Sequence, residues 1–423
     1  MLRRLLPSPT RTIETDVCVV GAGLIGLAHA HEARRRGLSV VLLEHNARAT
    51  GASVRDSGHL FFSALPSGDV LDAAVPARDR WLDLARRAGL SADQGGTLMI
   101  ARHRDELAVM EAAAADEARN ARMRSAKKVA KLAPIPVDGV LGAFHSKLDV
   151  RIDPRAAPAS LARLLAADPS SRIEWCTHVH AIESGVVHAG ALRVRAGAIV
   201  ACPGADHRML PDELWPGESG LTLRQTQMLR LAAPTGRRYR QTLTTALSLL
   251  EYPGFRAQPG IRQLRDRLEL ETPELIERGV RPVVTQLRDG DLILGGTAAH
   301  TASPKPFSRE RLDELMLDQA RKLLGGSLDV RQRWSSTSVS LRRTADDFLV
   351  TRPMPGVRVV QAVGPTAVAL CHWHAEKVLD ELLAGADPND RYISVHDMRK
   401  VARGVGGVRD HAAAFGAGER SQK

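Results

Sequence analysis

The sequence predicts an α/β fold of two domains. A sheet wound with helices opens the chain, and a second domain of mixed β-sheet and helix is inserted into it in pieces. Three observations predict this. The run "VCVVGAGLIGLAHAHEARRRGLSVVLLEHN" at 17–46 passes from apolar strand through a glycine turn to a helix and a second strand. A similar strand ending in a glycine turn, "ALRVRAGAIVACPG", returns at 191–204, and a strand–turn–helix pattern returns at 357–384. Between these stretches lie β-rich runs that do not continue a wound sheet.

The elements follow in order. A strand is expected at 16–21, a helix at 24–36 and a strand at 39–44, with residues 1–16 an exposed arm too short in apolar run for a secretory leader. Polar helical patterns cover 70–90 and 103–130, with the strand "GTLMIAR" at 96–102 between them. In "RIDPRAAPASLARLLAA" Asp153 suits a helix N-cap and Pro154 the first turn. Strands "RIEWCTHVHAIES" and "ALRVRAGAIVACPG" come next, then "RPVVTQLRD" and "DLILGGTAA" around an Asp-Gly turn. A helix at 308–324 and a strand at 328–338 precede the closing strand–turn–helix. The polar tail from 386 is expected to be poorly ordered or draped on the surface. One domain should therefore comprise 15–94, 146–220 and 346–385, the other 95–145 and 221–345, with 386–423 a tail.

At 423 residues and 44% hydrophobic, the chain is long enough for two cores and has no run of 18 apolar residues for a membrane span. The net charge of +11 comes without a five-residue basic block, and aromatic residues are 4%, which argues against nucleic acid while favouring capture of an anionic substrate. Cys18, Cys176, Cys202 and Cys371 lack metal or redox spacing, so a reducing, cytoplasmic setting is expected. "CHWH" at 371–374 has no remote ligand cluster, and no metal site is expected.

Gly21, Gly23 and Gly26 form G-x-G-x-x-G directly after a strand and at a helix start. The first glycine permits the tight turn, the second lets backbone approach a pyrophosphate, and the third packs helix on strand. Ala22, Leu24 and Ile25 complete a turn whose helix N-terminus attracts phosphate. Glu44, followed by His45, ends the next strand 18 residues beyond Gly26, where an acid accepts from ribose hydroxyls and disfavours NADP. The Rossmann pattern leaves NAD and FAD open. The loop "ATGASVRDSGHLFFS" at 49–63, with Ser53 and Arg55, suits the wrapping of an extended dinucleotide and favours FAD.

With "GASVRDSG" after Glu44, the sequence resembles the FAD-dependent D-amino-acid oxidase and glycine oxidase superfamily, in which G-[AS]-S-x-R-N-x-G is characteristic. The resemblance continues in "DVRIDPRAAPASLARLL", "AGAIVACPGAD" and "PGVRVVQAVGPTAVAL", and is nearest to a bacterial subgroup associated with aminophosphonates. It implies a Rossmann-type FAD-binding domain with a discontinuous, mixed β-sheet-plus-helix substrate domain. It implies that Gly21, Gly23, Gly26 and Glu44 hold the adenosine diphosphate half, and Ser53 and Arg55 the pyrophosphate and ribityl side. By the same resemblance, Val179 in the strand "THVHAI" touches adenine and Gly204 closes beside the cofactor. The turn of Gly364, Thr366 and Ala367 would face the flavin ring, where a helix N-terminus stabilises negative charge. Three departures stand out: Asp56 replaces the usual Asn, Pro365 removes an N–H donor, and "SSTSVSLRRTADDF" after Trp334 only blurs the family's W-x-G-x-R-P-x-T-x-D.

Oxidation of an amine by flavin needs an aligned C–H bond, an unprotonated amine and an anchor for the substrate's anionic end. Arginine forks a carboxylate or phosphonate. Arg342 falls where the resembling family places its substrate arginine, with Arg343 the adjacent candidate. His59, after the "RDSG" loop, tunes the flavin, accepts a proton, or serves packing alone. Tyr239 and Tyr252 are further candidates for substrate hydrogen bonds or for core packing. The function expected is FAD-dependent oxidation of the C–N bond of a small anionic amine, with dioxygen or an electron-acceptor protein as partner and oligomerisation possible. The alternative is a catalytically degraded FAD-binding subunit of a larger complex.

Overall fold

A computed structural model describes residues 11–209, 214, 220–234, 236–341, 346–384 and 392–394. Two nine-stranded sheets and one three-stranded sheet organise the chain. The first sheet is built around β1 (Arg11–Val20), α1 (Leu24–Arg35) and β2 (Val40–Leu43). Its order runs from Tyr392–Ser394 through Phe348–Thr351, Val357–Ala362, Leu192–Ala201, β1 and β2 to Ser171–Glu174. The pairs from Val357–Ala362 to Ser171–Glu174 are all parallel.

Both faces of this sheet are covered, which is why its strands read as continuous apolar runs rather than alternations. Val17, Val19, Leu42 and Val200 face α1, the helix Ala74–Arg87 with Trp81, and the long helix Ala367–Leu383. Cys18, Val41, Leu43 and Ile199 face the opposite way, against Val179, Ile182 and Val187. The first strand begins at Arg11, earlier than the arm read from sequence, because Arg11–Thr15 continue the parallel ladder with Leu192–Ala196. The polar alternation there kept it from looking like a strand. Within "RIEWCTHVHAIES" only Ser171–Glu174 and Ala181–Glu183 are strands. Cys176 takes a positive φ of 53°, and the chain between them is loop, so Val179 sits in a loop rather than a strand.

The second sheet draws strands from two distant stretches. Its order is Ala299–Thr301, Leu221–Leu231, Leu292–Gly295, Val283–Gln286, Thr242–Thr245, Thr97–Ala101, Gly142–Ser146 and Ala121–Arg124, with Val330–Leu341 also paired to Leu221–Leu231. The parallel pairing of Thr242–Thr245 with Thr97–Ala101 joins the two stretches. The helices Arg104–Ala114, Ile261–Glu271 and Glu310–Leu324 close its core. The helical pattern read over 103–130 is broken by the strand Ala121–Arg124, an edge element of polar composition that periodicity does not reveal. In the segment after Asp153, the helix proper begins at Ala157, with Asp153 accepting the Arg155 N–H at 3.0 Å ahead of it.

A third, small sheet pairs His59–Leu60 and Ala92–Asp93 with Val150–Ile152. From the tail, Tyr392–Ser394 add an antiparallel strand beside Phe348–Thr351, and the rest lies outside the described residues. No helix among the described residues is long and apolar enough to cross a membrane.

Candidate active site

Where β1 meets α1, the first and third glycines make the tight turn and the close packing that their spacing predicts. Gly21 has φ of 102°, and a Cβ there would lie 2.4 Å from the Cys202 carbonyl oxygen. A Cβ on Gly26 would lie 1.9 Å from the Gly21 carbonyl oxygen, so α1 packs on the turn only with glycine. The first turn of α1 carries no acidic residue, which leaves its N-terminus to an anion. Glu44 is buried and accepts the Ala22 N–H at 2.8 Å and the Asn46 N–H at 3.0 Å, so it braces the turn as well as facing the cavity. Ser53 Oγ accepts the Leu24 N–H at 3.0 Å, tying the 49–63 loop to the helix start.

These groups open onto one elongated cavity of about 980 Å³. Gly21, Gly23, Leu24, Ile25, Gly26, Glu44 and His45 line it together with Ser53, Arg55, Val179 and Gly204. Ala22 is fully buried and does not reach the wall; its N–H serves Glu44. Farther along, Gly364, Pro365, Thr366 and Ala367 contribute the start of the helix Ala367–Leu383, again with no acid in its first turn. Asp56 caps its own turn, accepting from the Ser57 N–H and from the Ser57 hydroxyl at 2.9 Å. A cavity of this size, bounded by a glycine cradle, a buried acid and two helix N-termini, fits a flavin dinucleotide.

The second sheet closes the other end of the cavity and supplies a charge cluster that the sequence did not reveal. Glu251 receives Arg224 Nη1 at 2.5 Å and Arg281 Nε at 3.2 Å. Burial alone would raise the Glu251 carboxyl, but the two guanidiniums hold it below the usual carboxylate range. Within this trio two cations against one anion leave one positive charge in surplus, and the Asp56 carboxylate is a further anion in the same cavity wall. Tyr252 lines the same end, its phenol pushed up by burial. His59 also lines the cavity; its Nε2 lies 2.7 Å from Thr97 Oγ1, and burial depresses it to about 3, so it is neutral. Its ring packs on Phe61 at 4.4 Å, and Phe61 packs edge-on to Tyr252 at 4.7 Å. Tyr239 lies elsewhere, beside a separate cleft. Arg342 and Arg343 lie outside the described residues.

Nothing in the spacing of Arg224, Glu251 and Arg281 marks them as partners. The one available signal was Glu251 itself, a lone acid closing the apolar run "ALSLLEY". The histidines of "CHWH" turn inward along their helix: His374 stacks on Phe348 at 3.7 Å and His372 meets Trp81 edge-on at 4.6 Å.

Comparison with known proteins agrees with this geometry. Gamma-glutamylputrescine oxidoreductase of Escherichia coli (strain K12) is 35% identical over 88 residues, 21% of this chain and 20% of that protein, so the match spans about a fifth of this relative. The fold is shared with glycine oxidase from Geobacillus kaustophilus (TM-score 0.70, 16% identity, 89% of this chain and 96% of that one). It is also shared with L-proline dehydrogenase from P. horikoshii (TM-score 0.73, 13% identity, 89% and 95%). The DAO family model, FAD dependent oxidoreductase, matches residues 16–380. The chain therefore belongs to the DAO family of FAD-dependent oxidoreductases.

Proposed function

We propose that the protein oxidises the C–N bond of a small anionic amine (an amino acid, an N-methyl amino acid or an aminophosphonate), giving an imine that hydrolyses to a carbonyl compound and amine or ammonia. The observation that carries this is the surplus positive charge of Arg224 and Arg281 about Glu251, in the wall of the cavity that the glycine cradle also lines. The fold and family are those of FAD enzymes, and the named activities of glycine oxidase, L-proline dehydrogenase and iminodiacetate oxidase support an amino-acid-like substrate. With this reading goes the division into a flavin domain (15–94, 146–220, 346–385) and a substrate domain (95–145, 221–345).

Bound FAD supplies the hydride acceptor. Gly21, Gly23 and Gly26 would hold its diphosphate, Glu44 its ribose, Val179 its adenine, Ser53 and Arg55 the linking chain, and Gly364–Ala367 its ring. Arg281 and Arg224 take the substrate's anionic end, fixed in position by Glu251. Arg342 and Arg343 follow directly on the strand Val330–Leu341, whose 336–339 stretch lines the cavity, and are proposed to assist. His59, Phe61 and Tyr252 form an uncharged wall that favours the neutral amine, the form able to give up hydride. The final electron acceptor would be dioxygen or an acceptor protein, which oxygen uptake during turnover distinguishes.

Mixing the yellow protein anaerobically with amino acids, N-methyl amines and aminophosphonates tests the reading. Bleaching by anionic amines but not by neutral analogues is expected. If no amine bleaches it, the catalytically inert flavin subunit is the correct description.

A further inference from the structure

A second cleft, of about 260 Å³, shares Ile152 with the main cavity but has its own chemistry. Its lining includes four arginines, Arg151, Arg238, Arg240 and Arg288, and two aspartates, Asp93 and Asp153. Arg151 is already engaged: Nη2 donates to Asp93 at 2.7 Å and Nη1 to the Tyr239 carbonyl at 3.1 Å. Asp93 also accepts the Gly95 N–H at 2.9 Å. Arg238, Arg240 and Arg288 are exposed and make no hydrogen bond or ion pair among the described residues. Four cations against two anions leave the cleft with two surplus positive charges.

These three arginines stand on a braced frame rather than on loose loops. Tyr239 is buried while Arg238 and Arg240 on either side of it are exposed, so both neighbours reach the surface from one anchored segment. Gln286 ties this segment to the turn that bears Arg288. Its Oε1 accepts the Tyr239 N–H at 2.8 Å, and its Nε2 donates to the Arg237 carbonyl at 3.1 Å and the Gly290 carbonyl at 2.9 Å. One buried amide thus sets the spacing of both arginine-bearing segments. Unpaired like charges held about a concave wall repel one another until an anion enters.

We propose that this cleft is a second binding site, separate from the amine site, for a small oxyanion of the phosphate class, gripped by Arg238, Arg240 and Arg288. Free phosphate and a small phosphate monoester present the same chemistry to guanidinium forks.

The test is calorimetric titration of the FAD-loaded protein with inorganic phosphate and, separately, with a simple phosphate monoester, at constant ionic strength in chloride. One saturable site is expected for at least one of them, and the tighter of the two identifies the source. The double variant Arg238→Gln/Arg288→Gln should bind roughly tenfold or more weakly. It should keep the unliganded melting temperature, because neither side chain holds the fold together. Arg281→Gln should retain phosphate binding. Absence of saturable binding, undiminished binding in the double variant, or loss confined to Arg281→Gln would each overturn the proposal.

Discussion

Asp347 holds Thr366 by two hydrogen bonds: Oδ1 accepts the backbone N–H at 2.9 Å and Oδ2 accepts the hydroxyl at 2.5 Å. The Asp347 carbonyl also accepts the Val363 and Gly364 N–H groups at 2.8 and 3.1 Å. A Cβ on Gly364 would come within 2.3 Å of Asp347 Oδ1, so no larger residue fits against this brace. One buried aspartate therefore shapes the whole turn that brings the helix Ala367–Leu383 to the cavity. It also accounts for the tolerance of Pro365: the donors that organise the turn belong to its neighbours.

Removing that brace should weaken flavin binding as well as the fold. In Asp347→Ala, the Thr366 N–H and hydroxyl lose their partner in a dry site, at a cost of roughly 1–3 kcal/mol. A lowered melting temperature together with weaker FAD rebinding by the apoprotein is the expected result. Flavin affinity equal to the parent's would show that the turn takes its shape without Asp347.

At the glycine cradle, sterics decide. Gly26→Ala places a methyl 1.9 Å from the Gly21 carbonyl oxygen, a distance that no side-chain adjustment relieves. Separation of α1 from the turn would move the N-terminus proposed to receive the diphosphate. The variant is expected to purify colourless while keeping its far-ultraviolet circular dichroism. A normally yellow Gly26→Ala protein would place the dinucleotide elsewhere.

Glu251 separates two readings of the charge cluster. If the substrate's anionic end meets Arg224 and Arg281, Glu251→Gln adds an uncompensated positive charge and lowers KM for anionic amines roughly tenfold. It should also lower stability by on the order of 2 kcal/mol, because two partly buried guanidiniums lose their counter-ion. A rise in KM would mean instead that Glu251's hold on the two arginines, or a contact with the substrate's ammonium group, outweighs the released charge.

Much of the flavin side was legible in sequence because its signals are local. Gly21, Gly23, Gly26 and Glu44 lie within one βαβ unit, where turn geometry and strand length fix their mutual distance. Strand–turn–helix signals likewise survived at 357–384. The substrate side is assembled by long-range pairing: Arg224 arrives on the strand Leu221–Leu231, Arg281 just ahead of the strand Val283–Gln286, and Glu251 from between them. In a chain with 59 lysines and arginines, composition does not single out two of them. Edge strands such as Ala121–Arg124 were missed for a related reason, since their polar residues carry no period until the neighbouring strand is known.

Buried histidines should make the protein acid-sensitive. Burial depresses His29 and His31 to about 4 and His59 to about 3, and it holds His372 and His374 well below the ordinary value. Unfolded, each titrates near 6.5. Between about pH 6.5 and pH 4 the unfolded chain therefore binds protons that the folded chain refuses, and stability falls as pH falls, by up to about 1.4 kcal/mol per histidine per pH unit. Asp149 and Asp347 oppose this. Burial raises both to about 6, so their contribution is present below the unfolded carboxylate value and is lost as pH rises through 6. The histidines outnumber them, and net acid loss is expected in denaturant melts from pH 7 to pH 4.5. His374 stacks on Phe348 and neither of its ring nitrogens has a hydrogen-bond partner among the described residues, so His374→Leu removes one refused proton at little packing cost. That variant should show a shallower fall than the parent; an equal or steeper fall would mean that His374 takes up its proton in the folded state.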